Sequence, residues 1–233
     1  MSGPTDTIVL IHGLWMTPLS WETWVERYES RGYRVLAPAW PGLEADVQQL
    51  RRDPSPMRNL GIERIVDHYD GIIRKLDSAP IVMGHSFGGA FTQVLLDRGL
   101  GAAGVVLSSA PVKGILGLPL STLRSAAPVL GNPLNRGKAT GLTEKQFRYA
   151  FGNAVSAEES RDAYERYHVP AANRVLFEGA FTNFSPGSPL KVNVRNDTRA
   201  PLLFIAAGED HIVPPSLNRS NVGKYAHSKA VTA

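Results

Sequence analysis

The sequence contains no cysteine, which excludes disulfides, thiolate metal sites and a cysteine nucleophile and leaves either redox compartment open. It also lacks an apolar run long enough to cross a membrane. The opening residues, Met-Ser-Gly-Pro-Thr-Asp-Thr, have neither a basic leader nor a longer apolar core behind it, so a cytoplasmic setting is expected. Blocks of like charge are missing too. The net charge of +4 is spread along the chain, which argues against a nucleic-acid partner. The histidines are dispersed, with no His-x-x-x-His or carboxylate cluster at ligand spacing, and no nucleotide fingerprint occurs. No metal and no cofactor are therefore expected.

What is present is enough apolar material for one substantial core: 233 residues, 43% of them hydrophobic. The chain is organised around Pro80-Ile81-Val82-Met83-Gly84-His85-Ser86-Phe87-Gly88-Gly89-Ala90-Phe91. Ile81 to Met83 read as a buried strand bounded by Pro80. After Ser86, apolar residues at Phe87, Ala90, Phe91, Val94 and Leu95 share one face of a helix. Ser86 thus sits at a strand-to-helix corner, where the glycines allow a sharp turn and leave its hydroxyl pointing outward as a nucleophile. The Phe87 amide, in the first turn and without an intrahelical partner, is placed to bind an oxyanion. A phosphate-binding loop is a poor alternative, since no Lys-Ser or Lys-Thr pair follows the glycines.

Thr7 to Ile11 has the pattern of a strand covered on both faces and ends at His12-Gly13-Leu14-Trp15. Gly13 lets that loop approach the reacting carbon, and Leu14 is the expected second oxyanion donor. His12 is read as a structural hydrogen-bonding residue and Trp15 as a packing residue. A helix is predicted over Pro18 to Arg31, a strand over Tyr33 to Ala37, an amphipathic helix between Leu60 and Leu76, and a strand over Val105 to Leu107. His68 lies off the apolar stripe of its helix and is expected at the surface. This alternation argues for a mostly parallel sheet covered on both faces, with reactive groups at the carboxyl ends of its strands.

From Ala110 to about Asn196 the rhythm breaks. Helices are predicted near Lys145 to Phe151, Ala157 to Tyr167 and Asn173 to Phe181, two of them opened by capping boxes, Thr143 with Gln146 and Ser156 with Glu159. We read residues 111–196 as a helical cap inserted into a core formed by 1–110 and 197–233. Leu116, Leu118, Leu120, Leu123, Phe147, Phe151, Leu176, Phe177, Phe181 and Phe184 are its candidate pocket residues, most of them expected to pack the cap onto the body. His168 is expected to be structural. Leu202 to Ala206 restores the strand pattern, and Asp210 follows at its carboxyl end as the acid that orients a histidine, in preference to Glu209.

The order His12-Gly13, Gly84-His85-Ser86-Phe87-Gly88, Asp210-His211-Ile212-Val213-Pro214 resembles the α/β-hydrolase superfamily, in particular its lid-bearing esterase, lipase and haloperoxidase-like members. The resemblance covers essentially the whole chain. It implies a three-layer α/β fold and a Ser86 nucleophile with Asp210 as acid. It also implies Leu14 and Phe87 as oxyanion donors and a small, apolar acyl substrate.

One departure stands out, because the pattern places a histidine after the last strand and Lys229 to Ala233 read as only the start of that strand. The expectation is a C-terminally shortened hydrolase, its last strand and final helix missing or incomplete and its catalytic histidine absent. His211 and His227 are poor substitutes. An exposed apolar edge beside Leu202 to Ala206, and poor solubility, are also expected. The leading functional reading is a serine hydrolase of carboxylic esters or related acyl compounds. The alternatives are a non-catalytic ligand-binding protein and a lyase or cofactor-free haloperoxidase on the same fold. The oligomeric state is left open.

Overall fold

The strand signals of the sequence assemble into one parallel sheet. The computed structural model describes residues 5–117, 119–228 and 230–232. The β-branched run gives β1 (Thr7–Ile11), followed by β2 (Arg34–Leu36), β3 (Ile81–His85) and β4 (Ala103–Leu107). Two short strands, β5 (Ala139–Thr140) and β6 (Ala171–Ala172), form a separate antiparallel pair, and β7 (Leu202–Ile205) and β8 (Val231–Thr232) complete the main sheet. The main sheet has six strands in the order β2-β1-β3-β4-β7-β8, every neighbouring pair parallel.

The helices are α1 (Glu22–Glu29), α2 (Val47–Arg52), α3 (Ile62–Ile73), α4 (Phe87–Asp97), α5 (Leu120–Leu130), α6 (Glu144–Ala150), α7 (Ala157–Tyr167), α8 (Asn173–Ala180) and α9 (Pro215–Gly223). Both predicted capping boxes form: Thr143 and Gln146 open α6, and Ser156 and Glu159 open α7. The predicted helix over Pro18 to Arg31 divides into a 3-10 turn at Pro18–Trp21 and α1. Two helices were not anticipated. α2 is a single short turn and a half capped by Asp46, and α5 carries Pro128 in its interior, so neither shows the periodicity that marks a helix in sequence.

The two faces of the sheet are covered unequally. Val9, Ile11, Val82, Val106, Leu202 and Phe204 join α3 and α4 in the main core, where Ile62, Ile65, Val66, Tyr69, Phe91, Leu95 and Leu96 are fully buried or nearly so. On the opposite face Ile8, Leu10 and Met83 pack with Trp21, against Trp24, Val25 and Tyr28 of α1. Beyond α1 the cover thins. Leu203 and Ile205 of β7, on that face by the alternation of strand side chains, are 38% and 44% exposed. Lys229 and Ala233, read in the sequence as part of the last strand, and Leu118, read as a pocket candidate, lie outside the described residues.

Candidate active site

Strand register assembles the site. Ile11 of β1 pairs with Gly84 of β3, His85 with Leu107 of β4, and Leu107 with Ile205 of β7, so the carboxyl ends of four parallel strands form one row. The residues just past those ends are Gly13 and Leu14, Ser86, Ser108, and the loop that carries Asp210. Sequence reasoning placed Ser86, Leu14, Phe87 and Asp210 at strand ends, and the parallel topology brings those ends together.

Ser86 has φ 55° and ψ −120°, a conformation that side chains other than glycine rarely adopt and that stores on the order of 1–3 kcal/mol. The surroundings enforce it. The Ser86 amide donates to the Leu107 carbonyl at 3.0 Å, and its own carbonyl accepts from Gly89, Ala90 and Ala110 at 3.0, 3.2 and 2.9 Å. Gly88 lies so close to β1 that a Cβ there would sit 2.1 Å from the Ile11 carbonyl oxygen. A Cβ on Gly13 would fall 2.9 Å from that of Ser86, which is how the loop after β1 reaches the serine.

The Ser86 side chain makes no hydrogen bond among the described residues, and neither the Phe87 nor the Leu14 amide donates to another group there. Phe87 is the first residue of α4, where four N–H groups lack intrahelical acceptors. Trp15, at φ 64°, turns the chain immediately after Leu14; its indole donates to the Thr140 carbonyl at 3.1 Å and its carbonyl accepts from Val169 at 2.9 Å.

Two cavities meet at Ser86. One, of about 330 Å³, is shared by Ser86, His85, Ser108, Asn153, Glu209 and Asp210. The other, of about 280 Å³, lies under α5 and α8 and is lined mainly by aliphatic side chains. Larger grooves of about 1130 and 840 Å³ lie elsewhere on the surface, lined by mixed charges and without Ser86 or Asp210, and their size alone gives them no chemistry. Of the pocket candidates read from the sequence, Leu116, Leu123, Leu176 and Phe184 line the aliphatic cavity and Phe151 the first. Phe147 and Phe177 are core residues, Leu120 is 85% exposed, and Phe181 faces a surface groove.

One oxygen of Asp210 accepts the amides of Ile212 and Val213, each at 2.8 Å, which fixes the carboxylate at the end of β7. Glu209 instead contributes its carbonyl, to Asn153 at 2.7 Å. The imidazoles are distributed as structural groups. His12 is fully buried, its Nδ1 paired with the Gly13 carbonyl at 2.9 Å and its Nε2 accepting the Trp40 amide at 3.3 Å. Burial holds its pKa down at about 4, against the opposing pull of the Gly13 carbonyl. His168 accepts the Leu142 amide at 2.9 Å, stacks on Tyr164 and is likewise lowered to about 4, by burial first and the nearby Arg51 charge second. His211 turns to the Tyr149 carbonyl at 2.7 Å and stacks on that ring. His227 is exposed beyond the end of α9.

Sequence reasoning passed over His85, yet it is the imidazole that lines the cavity shared by Ser86 and Asp210. Burial lowers its pKa and the Asp210 charge opposes that shift, so the two groups sense each other. Its place just before the serine was the available signal. No group of three or more metal-ligating side chains occurs among the described residues, and no helix there is long and apolar enough to cross a membrane.

The same framework is found in solved structures. An extracellular alpha/beta-hydrolase from a Paenibacillus species superposes with a TM-score of 0.70 at 22% identity, covering 95% of this chain and 86% of that one. A variant of polyneuridine aldehyde esterase gives 0.68 at 17% identity over 98% and 89%, and a monoacylglycerol lipase from Paleococcus ferrophilus gives 0.63 at 18% over 99% and 84%. At such identities these likenesses establish the fold alone. No curated protein matches the sequence. The model of the alpha/beta hydrolase family matches residues 8–230, and the chain therefore belongs to that family.

Proposed function

We propose that this protein is a serine hydrolase of carboxylic esters or related acyl compounds, with residues 111–196 acting as a cap over the site. One observation carries the reading: Ser86, held at positive φ with a free hydroxyl, shares a cavity with Asp210. In this reading the Ser86 oxygen attacks the acyl carbon as its proton passes to a base. The unpaired Leu14 and Phe87 amides receive the oxyanion, the alcohol departs with a proton, and water then releases the acid from Ser86. The esterase and lipase among the structural neighbours are compatible with this chemistry. A cytoplasmic setting belongs to the same reading.

The base is the distinguishing element. No imidazole among the described residues is hydrogen-bonded to either Ser86 or Asp210. That supports a second reading, a protein that binds an acyl ligand on the same residues without turnover. Fluorophosphonate labelling of Ser86, with and without added imidazole, separates the two. The hydrolase reading expects labelling that is lost in Ser86→Ala and accelerated at least tenfold by free imidazole, a molecule small enough for the cavity of about 330 Å³. Labelling without imidazole that disappears in His85→Ala assigns the base to His85. A folded protein that stays unlabelled under both conditions leaves the binding reading.

A further inference from the structure

The two cavities at Ser86 differ in chemistry, and the difference sorts the two arms of a substrate. The cavity beside Asp210 is lined by carboxylate, amide and hydroxyl side chains together with His85. The cavity under α5 and α8 is lined by Ile115, Leu116, Leu123, Leu130, Leu176 and Phe184 among other apolar groups, and no charged side chain enters its wall among the described residues.

Its few polar side chains are already committed. Thr122 donates to the Ile212 carbonyl at 2.7 Å, and Thr182 is paired with Ser188. Asn183 accepts the Gly114 amide at 2.6 Å and donates to the Ile115 carbonyl at 2.7 Å. Ser86 alone among them makes no side-chain hydrogen bond among the described residues. A ligand entering this cavity therefore finds a wholly unengaged polar side chain only at the serine end. At its mouth Leu116 and Phe184 are 80% and 82% exposed, an apolar rim that extends the same surface outward.

We infer that this cavity takes an uncharged hydrocarbon arm bearing no polar substituent, while the shorter or more polar arm of the ester lies on the Asp210 side. The inference rests on the hydrolase reading for the position of the ester group, but the cavity's preference for hydrocarbon does not depend on turnover. A volume of about 280 Å³ holds roughly nine groups of water size, at about 30 Å³ each, so an unbranched chain of up to about eight carbons fills it. Each added methylene removed from water raises affinity about fourfold. A hydroxyl carried into the wall region meets mostly hydrocarbon and side chains already engaged with the backbone and loses its water, which weakens binding at least tenfold.

The test measures binding rather than turnover. Affinities of 1-butanol, 1-hexanol, 1-octanol and 1,6-hexanediol for the Ser86→Ala protein are determined by calorimetry, and those of 1-hexanol and 1-octanol also for Ser86→Ala combined with Ala126→Trp, a substitution that fills the cavity wall. The expected result is a steady gain with chain length, hexanediol at least tenfold weaker than hexanol, and loss of binding in the filled cavity. A flat series, a diol equal to the alcohol, or unchanged binding to a folded Ala126→Trp form overturns the assignment. Should that variant fail to fold, the ligand series decides the matter alone. A normal alkanol series with an unlabelled Ser86 removes only the hydrolase reading, whereas a labelled Ser86 with a flat series removes only the cavity assignment.

Discussion

The β3-α4 unit and the segment 111–196 meet at the same cavity but are built on different physics. In α4 every residue from Phe87 to Leu96 is buried, and the helix lies against β1, β3 and β4. The overlying segment has buried side chains of its own, including Val129, Phe147, Val169 and Leu190, but leaves Leu116, Leu120, Leu134 and Phe184 at 80–85% exposure. Polar ties complete its attachment: Arg51 reaches the His168 carbonyl and Glu165, the Ile62 amide donates to Glu178, and Arg166 pairs with Glu22. A tightly packed unit holds Ser86 at a strained angle, while a more open one lies over the same cavity. In this protein geometry is invariant where the chemistry is proposed and permissive where selectivity is proposed.

The contrast is broken most severely at Gly88. Because a methyl group there meets the Ile11 carbonyl oxygen at 2.1 Å, Gly88→Ala must push α4 off β1, with a loss of upward of about 4 kcal/mol in urea unfolding. A loss below about 1 kcal/mol would show that the elbow is as adaptable as the segment above it.

Acid compares the two regions directly, since each buries an imidazole whose pKa is held down at about 4. His12 in the body and His168 in the overlying segment both have folded pKa values of about 4, below the ordinary 6.5. Each lowered value means that the unfolded chain takes up the proton first. Stability is therefore full above pH 6.5 and falls as the pH drops from 6.5 to about 4. At about 1.36 kcal/mol per pH unit the gap amounts to about 3 kcal/mol for each group. Hydrogen exchange followed through that window should show protection falling around both histidines. If His168 leads, the segment opens before the body.

The smallest effect is expected at the exposed rim. Phe184→Ser should change unfolding free energy by no more than about 0.5 kcal/mol, because an 82% exposed ring has little packing to lose. A large destabilisation would show that the rim is structural after all.

Much of this was legible before any coordinates. The elbow could be read because glycine, strand pattern and helix pattern are all local signals and agree around Ser86. The capping boxes of α6 and α7 were legible for the same reason. His12 and His168 could be assigned structural roles, but not their partners. α5 escaped notice because Pro128 breaks its pattern, and the β5–β6 pair escaped because strands of two residues carry no period. His85 was overlooked because its relation to Asp210 spans about half of the chain and depends on how β3, β4 and β7 align.

The sequence by itself determined most of the elements, their alternation and the serine corner, since each follows from side-chain spacing and glycine placement within a dozen residues. Only the tertiary structure decided that Ser86 and Asp210 share one cavity, that a second, hydrocarbon-lined cavity opens on the other side of the serine, and which leucines and phenylalanines of the segment 111–196 line it. The reason is physical. Parallel register and helix packing bring together residues far apart in the chain, and no local pattern records which of several apolar side chains ends in a core and which in a wall.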